Sequence, residues 1–183
     1  MRKQTATLAA LALSCAALAA TSWNTKPTQS KLSFFGTLVR AEFEGEFRQF
    51  AADMSFDPDD LATSAFDVTI QMTSVDTGDR ERDDIIRGED LFATQRWPTA
   101  HYVTEKLTDE GGGRFGGTGK LTIRDVTLDV PIGFTYRADA AGAWLNGQAT
   151  LKRLDFGFGQ GDWKDTEWVG NDVRVAFSLR LQP

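Results

Sequence analysis

Val173-Arg174-Val175-Ala176-Phe177-Ser178-Leu179 places a bulky apolar side chain at every second position, with Arg, Ala and Ser between. Successive side chains leave a β-strand on opposite faces, so this run has one oily face and one wet face. The same phase returns at Phe50, Ala52, Met54 and Phe56, at Phe66, Val68, Ile70 and Met72, and at Val130, Ile132, Phe134 and Tyr136. The runs are separated by Gly, Pro and Asp, which punctuate strands. The chain reads as all-β, a sandwich or barrel, and its function turns on whether the interior is full or hollow.

Working outward from these runs, strands are expected over residues 31–38, from Glu42 through Phe47 to the turn at Asp57-Pro58-Asp59, and from Ala65 to Val75. One segment, residues 79–92, has helical spacing, with Asp79 placed to cap it and Ile85, Ile86 and Leu91 to face inward. Pro98 opens a strand through Tyr102 and Thr104, and Gly111-Gly112-Gly113 forms a hairpin turn. Strands over 114–124, 126–136, 143–156 and 173–181 complete an antiparallel set of about eight, with one short helical insert. A barrel of eight strands has an interior that side chains fill or that holds one slender ligand. Gly117, Gly119, Gly147 and Ala149 share phase with Phe115, Leu121, Leu145 and Leu151, so small residues alternate with large on the inner faces. Glycines there either permit bends or leave a hollow.

The first residues stand apart from this pattern. Arg2 and Lys3 precede an apolar stretch from Ala6 to Ala20, shorter than the roughly 20 helical residues that span a bilayer. Ala17-Leu18-Ala19 supplies the small residues of a cleavage site, so residues 1–22 read as a secretory signal and residues 23–183 as a single mature domain in the periplasm or outside the cell. The alternatives are a membrane anchor and lipidation of Cys15, although Ala12-Leu13-Ser14 is a poor lipid-attachment signature. Cys15 is the only cysteine, so the mature domain has neither disulfides nor thiolate metal sites. Cleavage removes two of the 20 basic residues and none of the 26 acidic ones, taking the net charge from −6 to −8. An acidic domain without a basic face excludes nucleic acid as a partner and disfavours anionic membranes.

Candidates for chemistry are few. His101 is the only histidine and lies out of phase with Ala100 and Tyr102, facing away from the interior, where it has no partners for a metal site or a triad. Asp162-Trp163-Lys164-Asp165-Thr166-Glu167-Trp168 holds three carboxylates and two indoles. It reads either as a sugar-binding edge with an acid and a base, which would make the chain a carbohydrate hydrolase, or as a loop whose tryptophans cover the barrel mouth. Charges at Arg80 to Asp84 belong to a solvated helix face. Arg153 follows the inward phase of Leu145, Ala149 and Leu151, either paired with Asp155 or Asp83 or touching a ligand's polar head.

Taken in order, several segments resemble the YceI-like family of exported, lipid-binding barrels. They are Trp23 and Gln29-Ser30; Gly45-Glu46-Phe47-Arg48-Gln49-Phe50; Asp76-Thr77-Gly78, Arg82-Asp83, Asp90-Leu91-Phe92 and Trp97-Pro98; Leu121-Thr122-Ile123-Arg124-Asp125-Val126-Thr127; and Arg153-Leu154-Asp155-Phe156-Gly157. The chain departs from the family's pattern at Gln29 and Ile85, where histidines are common, and at Asp125, where Gly is usual and where Asp still tolerates a left-handed backbone. The resemblance implies an extended lipocalin-like barrel with a long apolar pore for an isoprenoid chain, such as an isoprenoid quinone or its precursor. It implies no catalysis and no cofactor beyond that lipid.

Such a tunnel would be lined by Phe50, Met54, Phe66, Ile70, Tyr102, Ile132, Phe134, Val175 and Phe177, an apolar set on the inner faces, with Arg153, Trp163 and Trp168 as candidate contacts at its head or mouth. At about 0.8 kcal/mol per buried methylene, a prenyl unit contributes roughly 3–4 kcal/mol, and eight units would exceed the ceiling of about 20 for non-covalent binding. Affinity is therefore expected to rise with chain length and then flatten as ordering costs accumulate. A barrel with a solid core and no ligand, and a homodimer through edge strands or the Trp-bearing loop, are further possibilities.

Overall fold

The computed structural model describes residues 22–182, and the leader reading, with Cys15, falls on residues outside that range apart from Ser22. The alternating runs become eleven strand segments: β1 (Ser22–Thr25), β2 (Lys31–Leu38), β3 (Ala41–Phe47), β4 (Phe50–Ser55), β5 (Ala65–Gln71), β6 (Val75–Asp76), β7 (Thr99–Gly111), β8 (Arg114–Ile123), β9 (Val126–Asp139), β10 (Gly142–Lys152) and β11 (Asp172–Gln182). They form one antiparallel sheet in the order β1-β4-β5-β7-β8-β9-β10-β11-β2-β3-β6, and β1 also pairs with β11, which closes the sheet on itself.

The eleven segments make eight staves. β1 and β2 both pair with β11, through Asn24 against Gln182 and Leu32 against Phe177, and are halves of one stave interrupted by a 3-10 turn at Pro27–Gln29. β3 pairs with β2 and β4 with β1, the two bending into one another at Arg48 and Gln49, while a 3-10 turn at Met72–Ser74 separates β5 from β6. The result is an eight-stranded closed antiparallel barrel. Each stave keeps its phase: on β9, Val130 and Phe134 are buried while Asp129, Pro131, Gly133 and Thr135 are exposed. A slip of one residue would turn that whole apolar set into water, which is why alternation fixes register.

The helical insert is shorter than its spacing predicts. α1 spans Arg80–Arg87, and Asp79 caps it by accepting from the amides of Glu81 at 3.0 Å and Arg82 at 3.2 Å. It stops at Gly88, whose amide turns back to the carbonyl of Ile85 at 3.0 Å, and residues 88–97 continue as turns. Ile86 is buried and Leu91 packs against the core, but Ile85 is exposed. Adjacent helical positions lie about 100° apart, so a helix against a barrel end turns only one of them inward.

One further boundary moves, and two turns take a backbone that the sequence did not announce. β10 ends at Lys152 rather than Phe156, because Arg153–Phe156 wind into a 3-10 turn closed by Gly157 at φ 73°. In the β8–β9 turn the left-handed residue is Arg124, at φ 59°, and not Asp125. The β2–β3 hairpin turns through Val39 at φ 49° and Arg40 at φ 65°. Both central positions of such a two-residue turn need positive φ, which Asn-Gly adopts without strain and a β-branched Val does not.

Candidate functional site

The barrel interior divides along its length. At one end Phe56 is the hub of an aromatic plug, with ring centroids 5.2 Å from Phe115, 5.7 Å from Phe134 and 4.8 Å from Tyr136. Trp23 seals that end, packing edge-on to Tyr136 and donating its indole N–H to the carbonyl of Phe56 at 3.1 Å. Rings packed in contact, with Phe56, Phe115 and Phe134 buried, leave no room between them.

Beyond the plug lies a cavity of about 210 Å³ with an almost wholly apolar wall. It begins at Met54, Phe66 and Leu145 and runs past Val68, Tyr102, Ile132 and Val175 to a rim built by Ile86 of α1, Leu91, Phe92, Phe158 and the Val169–Gly170 segment. On β11 its wall extends from Val173 to Leu179, about 20 Å at the usual rise of a strand. These are the proportions of a slot for one chain. The interior is thus filled in one half and hollow in the other.

Of the nine residues expected on a tunnel, Phe50, Met54, Phe66, Ile70, Tyr102, Ile132, Val175 and Phe177 line the cavity. Phe134 does not: it is 5.5 Å from Phe115, stacked within the plug. Alternation tells which face a residue takes but not its height along the barrel, and Phe134 lies two steps past Ile132, on the filled side. Sequence reading missed Phe43, Phe47, Phe92 and Phe158, which form the rim. Phe47 stands 6.0 Å from Phe92, and Phe92 5.3 Å from Phe158.

The inner glycines neither hollow the barrel nor merely bend it. A Cβ on Gly147 would meet Phe177 Cε2 at 2.6 Å, and one on Gly117 would meet Leu107 Cδ2 at 2.8 Å. Large side chains from neighbouring strands lie over the small residues, so the small-large alternation packs the wall. Tyr102, buried in that wall, donates its hydroxyl to the carbonyl of Val130 at 3.3 Å, and burial pushes its phenol pKa well above the usual value.

Arg153 is 3 % exposed and lies at the rim. It pairs with neither Asp155 nor Asp83. Its guanidinium donates to the carbonyls of Gly170 at 2.9 Å, Val169 at 2.7 Å and Phe158 at 3.3 Å, while Asp83 accepts from Thr77 N and Oγ1, both at 2.8 Å. Burial lowers the Arg153 pKa from its usual value. Arg is nonetheless charged at neutral pH, so the cation is spread over three backbone dipoles. Its chemical effect is to tie the two segments flanking the mouth, 157–159 and 169–170, to the end of β10.

Trp163 is half-buried and Trp168 exposed, and neither belongs to the cavity wall. In the same loop Asp162, Asp165 and Glu167 are exposed, and the Asp165 carboxylate accepts from the Glu167 amide at 2.8 Å. His101 faces outward and meets Asp67 at 2.6 Å on the barrel surface. No group of three or more metal-ligating side chains occurs among the described residues.

Comparison with known proteins agrees with this architecture. A family model described as a YceI-like domain matches residues 23–181. A UPF0312 protein of Vibrio campbellii is 31 % identical over 140 residues, covering 73 % of this chain and 74 % of the relative. The crystal structure of Burkholderia cenocepacia BcnA is 31 % identical and superposes with a TM-score of 0.83 over 87 % of this chain and 99 % of its own. A polyisoprenoid binding domain from Saccharophagus degradans, implicated in plant cell wall breakdown, has a TM-score of 0.65 over 87 % of this chain and 97 % of its own; at 16 % identity it speaks to the fold alone.

Proposed function

The chain belongs to the YceI-like family, and we propose that it is a non-catalytic carrier that holds a long-chain isoprenoid, such as an isoprenoid quinone or its precursor, in the barrel cavity. The observation that carries this reading is the slot of about 210 Å³, apolar along its walls and closed by aromatic rings at its far end. An apolar slot of these proportions takes a hydrocarbon tail out of water, at about 0.8 kcal/mol per methylene. The polyisoprenoid binding domain from Saccharophagus degradans shares the barrel fold that encloses the slot.

The cavity is smaller than the roughly 300–1,000 Å³ of ordinary ligand pockets. In this reading a long chain seats by turning aside the half-buried rim rings Phe43 and Phe92. Carriage through an aqueous compartment outside the cytoplasm, after removal of the leader, completes the proposal: a tail insoluble in water travels inside the barrel.

Native mass spectrometry of the purified mature protein, with organic extraction of whatever leaves with the solvent, tests the proposal. A stoichiometric prenyl lipid identifies both tail and head. A bare mass, together with failure to take up added prenyl chains, overturns it. The carbohydrate-hydrolase alternative predicts instead a glycosidase activity that Asp165→Asn and Glu167→Gln abolish.

A further inference from the structure

The large hydrophobic side chains exposed among the described residues are Leu38, Val39, Ile85 and Trp168, and all four stand around the cavity rim. Leu38 follows the lining residue Thr37, Trp168 precedes the lining residue Val169, and Ile85 precedes the lining residue Ile86. Three of them form one patch: Leu38 bridges Val169, and the Val39 amide donates to the carbonyl of Trp168 at 2.7 Å. Val39 is 58 % exposed and Trp168 64 %. Scattered surface hydrophobics need no explanation; a set gathered around the rim of the apolar cavity does.

The backbone holds this patch out against its own preference. Val39 sits at φ 49° at the tip of the β2–β3 hairpin, a conformation that suits Asn or Gly. Strain of this kind persists where surrounding structure imposes it, and it gathers at functional positions. Beside the apolar tip, Arg40 and Glu167 approach to 3.9 Å with side chains 88 % and 82 % exposed. The tip therefore offers one cation and one anion next to Val, Leu and an indole, and the chain's net charge of −6 opposes any anionic surface.

We propose that this rim patch is a docking surface for a zwitterionic lipid bilayer. Trp168, Val39 and Leu38 enter the interfacial layer, where an indole with an apolar body and a polar N–H is most at home. Arg40 and Glu167 meet the phosphate and ammonium of the headgroups. Docking in this orientation sets the cavity mouth on the membrane, so a lipid tail passes into the barrel without crossing water. The inference rests on the lipid-carrying reading above and adds where the lipid is collected or delivered.

Flotation of the full mature protein with phosphatidylcholine vesicles tests it, alongside uptake of a prenyl alcohol added from ethanol without vesicles. The wild type should float, and Leu38→Ser/Val39→Asn/Trp168→Ser should bind vesicles about tenfold or more weakly. Val39→Asn alone, which relieves the left-handed strain and so guards against a folding artefact, should also weaken binding. Phosphatidylglycerol vesicles should bind less. A wild type that stays in the buffer, or a triple variant that floats equally well, overturns the proposal. Patch-dependent dimerisation in place of vesicle binding also overturns it, assigning the surface to a second copy of the chain. Failure of ethanol-delivered uptake instead overturns the lipid-carrying reading, so the two failures are distinguishable.

Discussion

Tyr102 of β7 lies across Gly119 of β8, its Cζ and hydroxyl oxygen standing 2.6 and 2.7 Å from where a glycine Cβ would be. The ring completes the wall that the glycine leaves thin, and its hydroxyl then reaches the Val130 carbonyl one strand further on. Gly119→Ala must displace both the ring and the backbone carbonyl of Val103 on β7, and is expected to cost about 1–3 kcal/mol in denaturant unfolding. Tyr102→Phe keeps the ring and loses only the hydrogen bond, for about 1 kcal/mol. Gly119→Ala should therefore be the more damaging, an order opposite to what side-chain size suggests.

Arg180 grips Asp139 with both terminal nitrogens, at 2.7 and 2.8 Å, tying β11 to the β9–β10 turn. That hydrogen bonding, helped by the Ala141 amide, depresses the Asp139 pKa from 3.8 to about 2. A carboxyl whose folded-state pKa is depressed stabilises the fold above its unfolded value, and the stabilisation disappears as pH falls through the folded one. The melting temperature of the wild type should exceed that of Asp139→Asn at pH 6, with the gap narrowing between about pH 4 and pH 2. A gap independent of pH would show that the pair contributes only packing.

Arg153→Met leaves the carbonyls of Gly170, Val169 and Phe158 without their donor, at an expected cost of about 2–3 kcal/mol. Gly159→Ala should reproduce the effect from the other side, because its Cβ would coincide with the Arg153 guanidinium at a position with φ 93°. In both variants hydrogen exchange should accelerate first at the amides of Val169 and Gly170, well ahead of global unfolding.

Ala149 lines the cavity where β10 pairs with Val175 of β11. Ala149→Phe projects a ring into the slot, so the longest prenyl chain retained should shorten and affinity for long chains should fall by about tenfold or more. Stability should change by no more than about 1 kcal/mol, since the ring enters space rather than displacing atoms. An unchanged chain-length profile in a prenyl-lipid series would place the ligand elsewhere.

Period-two alternation carried much of the fold. Val130, Ile132, Phe134 and Tyr136 do share an inner face, and the Asp79 cap starts a helix where its chemistry predicts one. What alternation lacks is position along the barrel axis. Phe134 and Ile132 read identically, yet one belongs to the plug and the other to the cavity. Arg153 illustrates a second limit: a buried cation implies partners, but three carbonyls brought together by the turn at 153–156 leave no mark in the side-chain sequence. The rings over Gly119 and Gly147 come from other strands, so pairing must be known before the small residues can be interpreted.

The aromatic plug around Phe56 also dictates an order of events. A tube stoppered at its base has a single doorway, and whatever goes in by the tail must come out by the head. On the proposed carrier role, a cargo held this way would not be threaded through from donor to acceptor; it would be shown, always the same way round, to whatever meets the doorway next. Direction of transfer would then be decided by the company at the threshold, with the barrel itself indifferent to which side is giving and which is receiving.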